Sequence, residues 1–156
     1  MRFLKLGAAC LIAAFSTGVA FAQTLLIEQS EGSLSYSISQ LKKEFAPAKI
    51  KTVSTWTNGE IVTYQGIKLS ALLDKHDIHS EFVTVAAENG YESTVPIKMV
   101  EKYQPILAFV ADGAPLEFST RGPISLIWPR TEFPKDLDET TDGMWTWYAN
   151  KISPIN

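Results

Sequence analysis

The chain has 156 residues, 46% of them apolar and 20% charged, with a formal net charge of −3. That is enough apolar content to bury a core in one domain, while the acidic balance excludes the basic footprint of a general nucleic-acid binder and the polybasic patch of a membrane-surface protein. Cys10 is the only cysteine, so the chain has no internal disulfide.

At the N-terminus, Arg2 and Lys5 lead into an uncharged apolar run over residues 6–19. Ala20-Phe21-Ala22 then carries the small-x-small pattern read by signal peptidase. Residues 1–22 read as a signal peptide cleaved before Gln23, and residues 23–156 as one exported domain. The apolar run is too short for a permanent membrane span. Gly7-Ala8-Ala9-Cys10 lacks the leucine three residues before the cysteine that a lipoprotein signal carries, so lipidation is not expected. Cleavage removes two basic residues and the cysteine. The remaining domain is more acidic, offers no thiolate, and depends on its core for stability.

Residues 25–28 and 34–36 read as short strands around a turn at Gly32. Ser37 and Gln40 form a capping box for a helix, with Tyr36 and Leu41 spaced as a hydrophobic staple; Pro47 ends that helix. Residues 49–57, rich in Val and Thr, read as a strand, Asn58-Gly59 as a turn, and residues 61–64 as the return strand. Gly66 reads as a further turn before a helix over 69–75, with Leu69, Leu72 and Leu73 on one face. Residues 82–87 and 91–95 are paired strands around Asn89-Gly90. Pro96 opens a short helix through residue 101. Residues 106–111 and 116–118 flank the Asp112-Gly113 turn, residues 124–128 form an apolar strand, residues 131–143 a polar acidic loop, and residues 145–152 a closing strand. This pattern gives an α+β domain with mixed β-sheets and a few short helices.

Five segments in order carry a resemblance. They are Val53-Ser54-Thr55-Trp56 leading to Gln65-Gly66-Ile67-Lys68-Leu69-Ser70-Ala71-Leu72-Leu73; Ala87-Glu88-Asn89-Gly90-Tyr91 leading to Val95-Pro96; Pro105-Ile106-Leu107-Ala108 with Asp112-Gly113-Ala114-Pro115-Leu116; Gly122-Pro123-Ile124-Ser125-Leu126-Ile127-Trp128-Pro129; and Trp145-Thr146-Trp147. Their order and spacing cover most of residues 34–152, and the set resembles the molybdopterin-binding domain of the sulfite oxidase fold. In one respect the chain departs from that family. Its molybdenum enzymes ligate the metal with a cysteine on or just after the strand that here reads Val53-Ser54-Thr55-Trp56, and Ser and Thr hydroxyls are poor substitutes for a thiolate. No molybdenum is therefore expected. The chain looks more like the stand-alone exported members of the fold, the PruR-type periplasmic pterin-binding regulators. That resemblance implies a reduced pterin, such as a tetrahydropterin, as ligand. It also implies a partner: the periplasmic region of an inner-membrane diguanylate cyclase or phosphodiesterase that makes or degrades cyclic-di-GMP.

A pterin is flat and has a donor–acceptor edge, so its site needs an aromatic wall and a few fixed polar groups. Trp56 sits beside the family's metal-ligand position and reads as a stacking wall or as packing at a strand end. Trp145 and Trp147, two apart, share one face of a strand and line a pocket or a core stripe; Tyr148 then points to the other face. Trp128 is a further candidate wall. Asn89 and Tyr91 resemble the family's Asn-x-Tyr and supply an amide and a phenol, although Asn89 also suits a turn. Arg121 and Arg130 flank the segment where the family's backbone approaches the cofactor, and each meets a ring carbonyl, stacks on a ring, or is solvated. Ser54 and Thr55 stand in the place of the cysteine, or serve only as strand residues. His76 and His79 read as exposed, without the partners of a metal site. Asp136, Asp138, Glu139 and Asp142 lack an EF-hand pattern and read as a solvated loop, with partner binding or loose cation binding as the alternative.

The expected function is a periplasmic pterin-binding regulator. The rivals are a molybdopterin-dependent oxidoreductase, or a subunit of one, and a partner-binding scaffold whose pocket has degenerated.

Overall fold

The computed structural model describes residues 23–155. The expected signal peptide, residues 1–22, lies outside the described residues. Among the described residues, ten strands form two five-stranded sheets.

In the first sheet, β1 (Thr24–Gln29) and β2 (Gly32–Ser37) form a hairpin. Alternation along β1 buries Leu25 and Ile27. The strand order is β2-β1-β10-β5-β6, where β5 is Phe82–Ala87, β6 is Glu92–Pro96 and β10 is Ala149–Ile155. The last strand of the chain therefore lies at the centre of its sheet. It runs parallel to β1 and antiparallel to β5, which makes the sheet mixed. The second sheet holds β3 (Pro47–Thr52), β4 (Val62–Lys68), β7 (Ile106–Ala111) and β8 (Ala114–Pro115), with β9 (Ser125–Ile127) also paired to β7. One hydrophobic cluster draws on both, including Ile27, Val85 and Ile152 from the first and Ile67, Leu107 and Leu126 from the second.

The three α-helices follow their local signals. In α1 (Ile38–Glu44), Ser37 Oγ accepts from the Gln40 N–H at 3.3 Å and Gln40 Oε1 accepts from the Ser37 N–H at 2.8 Å, so two otherwise unpaired donors are satisfied. Phe45 already has extended backbone, so the helix stops before Pro47, which instead opens β3. α2 (Leu69–Lys75) buries Leu69, Leu72 and Leu73, the face its spacing predicts. α3 (Ile97–Tyr103) runs two residues beyond the expected end and stops at Gln104, whose φ of 52° is left-handed.

Several expectations are corrected. Gly66 lies inside β4 beside a β-bulge, not in a turn. A Cβ added there would fall 1.9 Å from the Leu107 carbonyl oxygen, so this glycine permits close approach of two strands. Residues 53–57 are not strand. β3 ends at Thr52, and Ser54 caps a single 3-10 turn, Thr55–Thr57, by accepting from the Trp56 N–H at 3.3 Å. Residues 116–118 do not form a strand after Asp112-Gly113. The pairing there is Ala114–Pro115, followed by a 3-10 turn, Phe118–Thr120. The acidic loop contains a 3-10 segment, Glu139–Met144. Residues 145–148 precede β10 as irregular chain tied to β9 through a Leu126–Thr146 bridge.

Candidate functional site

Four connections meet at one end of the molecule. They are the β3–β4, β5–β6, β8–β9 and β9–β10 segments, and between them lies a cavity of about 380 Å³, in the range of small-ligand sites.

Its aromatic wall is a triad of indoles. Trp56 comes from the 3-10 turn after β3, and Trp145 and Trp147 from the segment before β10. Ring centroids are 5.4 Å apart for Trp56–Trp147, 5.9 Å for Trp145–Trp147 and 6.2 Å for Trp56–Trp145. The intervening Thr146 fixes this placement. Its hydroxyl shares a buried 2.6 Å hydrogen bond with Ser93 Oγ, and its carbonyl accepts from the Leu126 N–H at 2.8 Å. Trp145 is only 1% exposed, and the indole N–H groups of Trp145 and Trp147 are buried with no acceptor among the described residues. A buried donor left unpaired costs about 1–3 kcal/mol.

The polar rim comes from the other connections. Asn89 Oδ1 accepts from the Tyr91 N–H at 3.1 Å, closing the Asn89-Gly90 turn, with Gly90 at φ 83°. Tyr91 Oη donates to the Gly143 carbonyl at 2.7 Å and so pins the β5–β6 turn to the Glu139–Met144 segment. The Arg121 guanidinium lies 5.4 Å from the Trp147 ring centroid. Arg121 and Tyr148 both have left-handed backbone, φ 67° and 59°, which is uncommon outside glycine. The Tyr148 N–H donates to the Arg121 carbonyl at 3.2 Å and the Tyr148 carbonyl accepts from the Glu88 N–H at 3.0 Å. These bonds hold two strained residues at the cavity wall, as is common at binding sites.

Six of the ten predicted site residues line the cavity: Trp56, Asn89, Tyr91, Arg121, Trp145 and Trp147. The other four do not. Trp128 is fully buried and its indole N–H donates to the Met144 carbonyl at 2.9 Å, which makes it a packing residue behind the site. Ser54 is buried as a cap. Thr55 is exposed, and its hydroxyl donates to Asp142 Oδ2. Arg130 is buried under the wall. It stacks 5.5 Å from the Trp145 ring centroid, pairs with Asp142 Oδ1 and donates to the Asp138 carbonyl at 2.9 Å.

Three lining residues escaped the sequence reading: Asp142, Gly143 and Tyr148. Tyr148 was placed on the far face by the assumption of a strand. Its left-handed backbone turns it to the same cavity as Trp147. Asp142 belongs to the acidic run, where nothing in the spacing separates a solvated carboxylate from one anchored by Arg130 and Thr55.

His76 also departs from expectation. It is half-buried, not exposed, and lies in a second cleft of about 360 Å³ formed in part by Gln29, Asp77 and His79. Gln29 Nε2 donates to His76 Nδ1 at 3.1 Å, and the other ring nitrogen is bonded to Tyr36 Oη at 3.0 Å. Burial, and then the nearby Lys75 charge, hold the imidazole below the usual histidine range. Among the described residues, no three His, Cys, Asp or Glu side chains are grouped to hold a metal ion.

Comparison with known proteins matches residues 25–136 to the family model of the oxidoreductase molybdopterin binding domain. The match ends before Asp142 and the Trp145/Trp147 pair. Among solved structures, the sulfane dehydrogenase SoxCD from Paracoccus pantotrophus superposes with a TM-score of 0.60 over 85% of this chain, at 16% identity. This chain corresponds to 38% of the length of that one, and at such identity the likeness is one of fold. No curated protein matches the chain.

Proposed function

The chain belongs to the oxidoreductase molybdopterin binding domain family and has the sulfite oxidase fold, and from that premise we propose that it is a pterin-binding protein. The observation that carries the reading is the cavity walled by three indoles, with Asn89, Tyr91 and Arg121 at its rim. A pterin supplies a flat ring for the wall and an edge of donors and acceptors for the rim. In this reading Trp56, Trp145 and Trp147 hold the ring. Arg121, the Asn89 amide N–H groups and the free lone pair of the Tyr91 hydroxyl supply further polar contacts.

The ligand we propose is a reduced pterin without molybdenum. The family's thiolate position is taken by Ser54, buried as a cap, and Thr55, committed to Asp142. These residues do not fit a cysteine-ligated metal, and no step of the proposed function passes through one.

The resemblance to PruR-type regulators extends the proposal to biology. The protein is exported by the signal peptide at residues 1–22 and works in the periplasm as one domain over residues 23–156. Its loaded and empty forms differ in affinity for the periplasmic region of an inner-membrane cyclic-di-GMP enzyme, because only differential binding shifts such an equilibrium. Titration with a tetrahydropterin, followed by tryptophan fluorescence, tests the ligand. Saturable quenching is expected, and its absence together with no calorimetric heat overturns the reading.

The likeness to a sulfane dehydrogenase favours a second reading, a subunit of a molybdopterin-dependent oxidoreductase. Elemental analysis of protein exported from a molybdenum-replete host separates the two. Stoichiometric molybdenum would replace the first reading with the second.

A further inference from the structure

The cavity wall is unequal in charge and in hydrogen-bonding character. Trp56, Trp145 and Trp147 give it apolar indole surface, and the Arg121 guanidinium is a donor. Asp142 is the single carboxylate among the residues lining the cavity. Its side chain is largely covered, about 21% exposed, and is fixed at both oxygens: Oδ1 by Arg130 and Oδ2 by Thr55. Arg130 is itself held by the Asp138 carbonyl and by stacking on Trp145. A carboxylate oxygen accepts more than one hydrogen bond, so both oxygens keep capacity for a ligand after these contacts. The anchoring also removes the rotamer entropy that an unanchored aspartate would lose on binding.

We propose that Asp142 is the specificity-determining residue of this site, its carboxylate accepting from the donor edge of a bound pteridine. This rests on the pterin reading above. The pyrimidine half of a pterin carries an exocyclic amino group beside a ring N–H, two donors side by side, which a carboxylate meets with two charge-assisted bonds. A lumazine has a carbonyl where the pterin has the amino group. It would turn an oxygen toward the Asp142 carboxylate, leaving one bond unmade and adding repulsion. The site therefore selects amino-substituted pteridines over their dioxo analogues. The Arg130–Thr55 clamp is the positioning element that gives Asp142 this role.

Calorimetric titration of the exported protein with a tetrahydropterin and with the tetrahydrolumazine bearing the same side chain, both kept anaerobic, decides the matter. The native protein should prefer the pterin by about 10–100-fold, the range for loss of a hydrogen bond to a charged group. Asp142→Asn should shrink that preference to a few fold or reverse it, because an amide can donate to the lumazine carbonyl. Thr55→Val keeps the carboxylate but removes one of its two anchors, and its preference should fall between those of the native protein and Asp142→Asn. Equal binding of the two ligands by the native protein overturns this inference and leaves pterin binding intact. So does a folded Asp142→Asn that keeps the native preference. If Asp142→Asn does not fold, the native comparison decides alone. Binding of neither ligand ends the pterin reading and this inference with it.

Discussion

The indole cavity and the cleft beside His76 are of similar size, and they treat their polar atoms in opposite ways. In the cleft beside His76, both ring nitrogens are bonded, one to Gln29 and one to Tyr36, and Gln29 also donates to the His76 carbonyl at 3.3 Å. In the indole cavity, the buried indole N–H groups of Trp145 and Trp147 have no partner among the described residues. The two clefts differ in unmet hydrogen-bonding capacity and not in volume. Trp128 and Trp145 make the same point within the site. Both are fully buried, but the Trp128 N–H is satisfied by Met144 and the Trp145 N–H is not.

That contrast can be tested by substitution. The largest effect on stability is expected at Trp128. Its replacement by Ala should cost about 3–5 kcal/mol in urea denaturation, the usual loss for a buried aromatic. A cost under about 1 kcal/mol would mean that Trp128 is not the packing residue assigned here. Trp147→Ala should behave differently. The side chain is only half-buried, so stability should fall by about 1–2 kcal/mol, while pterin affinity falls about tenfold or more with the loss of a stacking face. Unchanged affinity would move the ligand away from this wall.

Tyr36→Phe tests the satisfied cleft. Removing the hydroxyl from His76 should cost about 1 kcal/mol and leave tetrahydropterin binding as it was. The smallest effect is a pH dependence. Burial lowers the His76 pKa in the fold, so the unfolded chain holds more protons between the ordinary value of about 6.5 and the lower folded value. Stability from this group is present above about pH 6.5 and is lost as pH falls through the folded pKa. Lys75 opposes protonation, while Glu44 and Asp77 favour it. A modest drop in thermal midpoint between pH 7 and pH 5, reduced in His76→Gln, is the expected outcome. Identical pH profiles for the two proteins would remove His76 from the account.

Much of the fold was legible from local chemistry. The Ser37–Gln40 box, the leucine face of residues 69–75, and the turns at Asn58-Gly59, Asn89-Gly90 and Asp112-Gly113 all depend on atoms a few residues apart. Gly66 was misread because its reason is the Leu107 backbone across the sheet, and glycine signals a turn and a close approach with the same letter. Six of the predicted residues line one cavity because aromatic and polar types were read at the positions that the resemblance aligns with the family's cofactor pocket. Ser54, Thr55, Trp128 and Arg130 were placed in it because type and proximity in sequence do not say which way a side chain turns.

By itself, then, the sequence determined the helices, most strands and the Asn58-Gly59, Asn89-Gly90 and Asp112-Gly113 turns, since propensity, capping and periodicity act over short spans. Only tertiary structure decided that residues 145–148 leave the strand, that Tyr148 shares a wall with Trp147, and that Asp142 is anchored beside them. Those outcomes depend on bonds from Ser93, Arg121, Glu88 and Arg130, and the Ser93 and Glu88 bonds reach across more than fifty residues. The reason is physical: a buried polar group takes whatever partner the packed chain brings to it, and that partner is set by the fold as a whole.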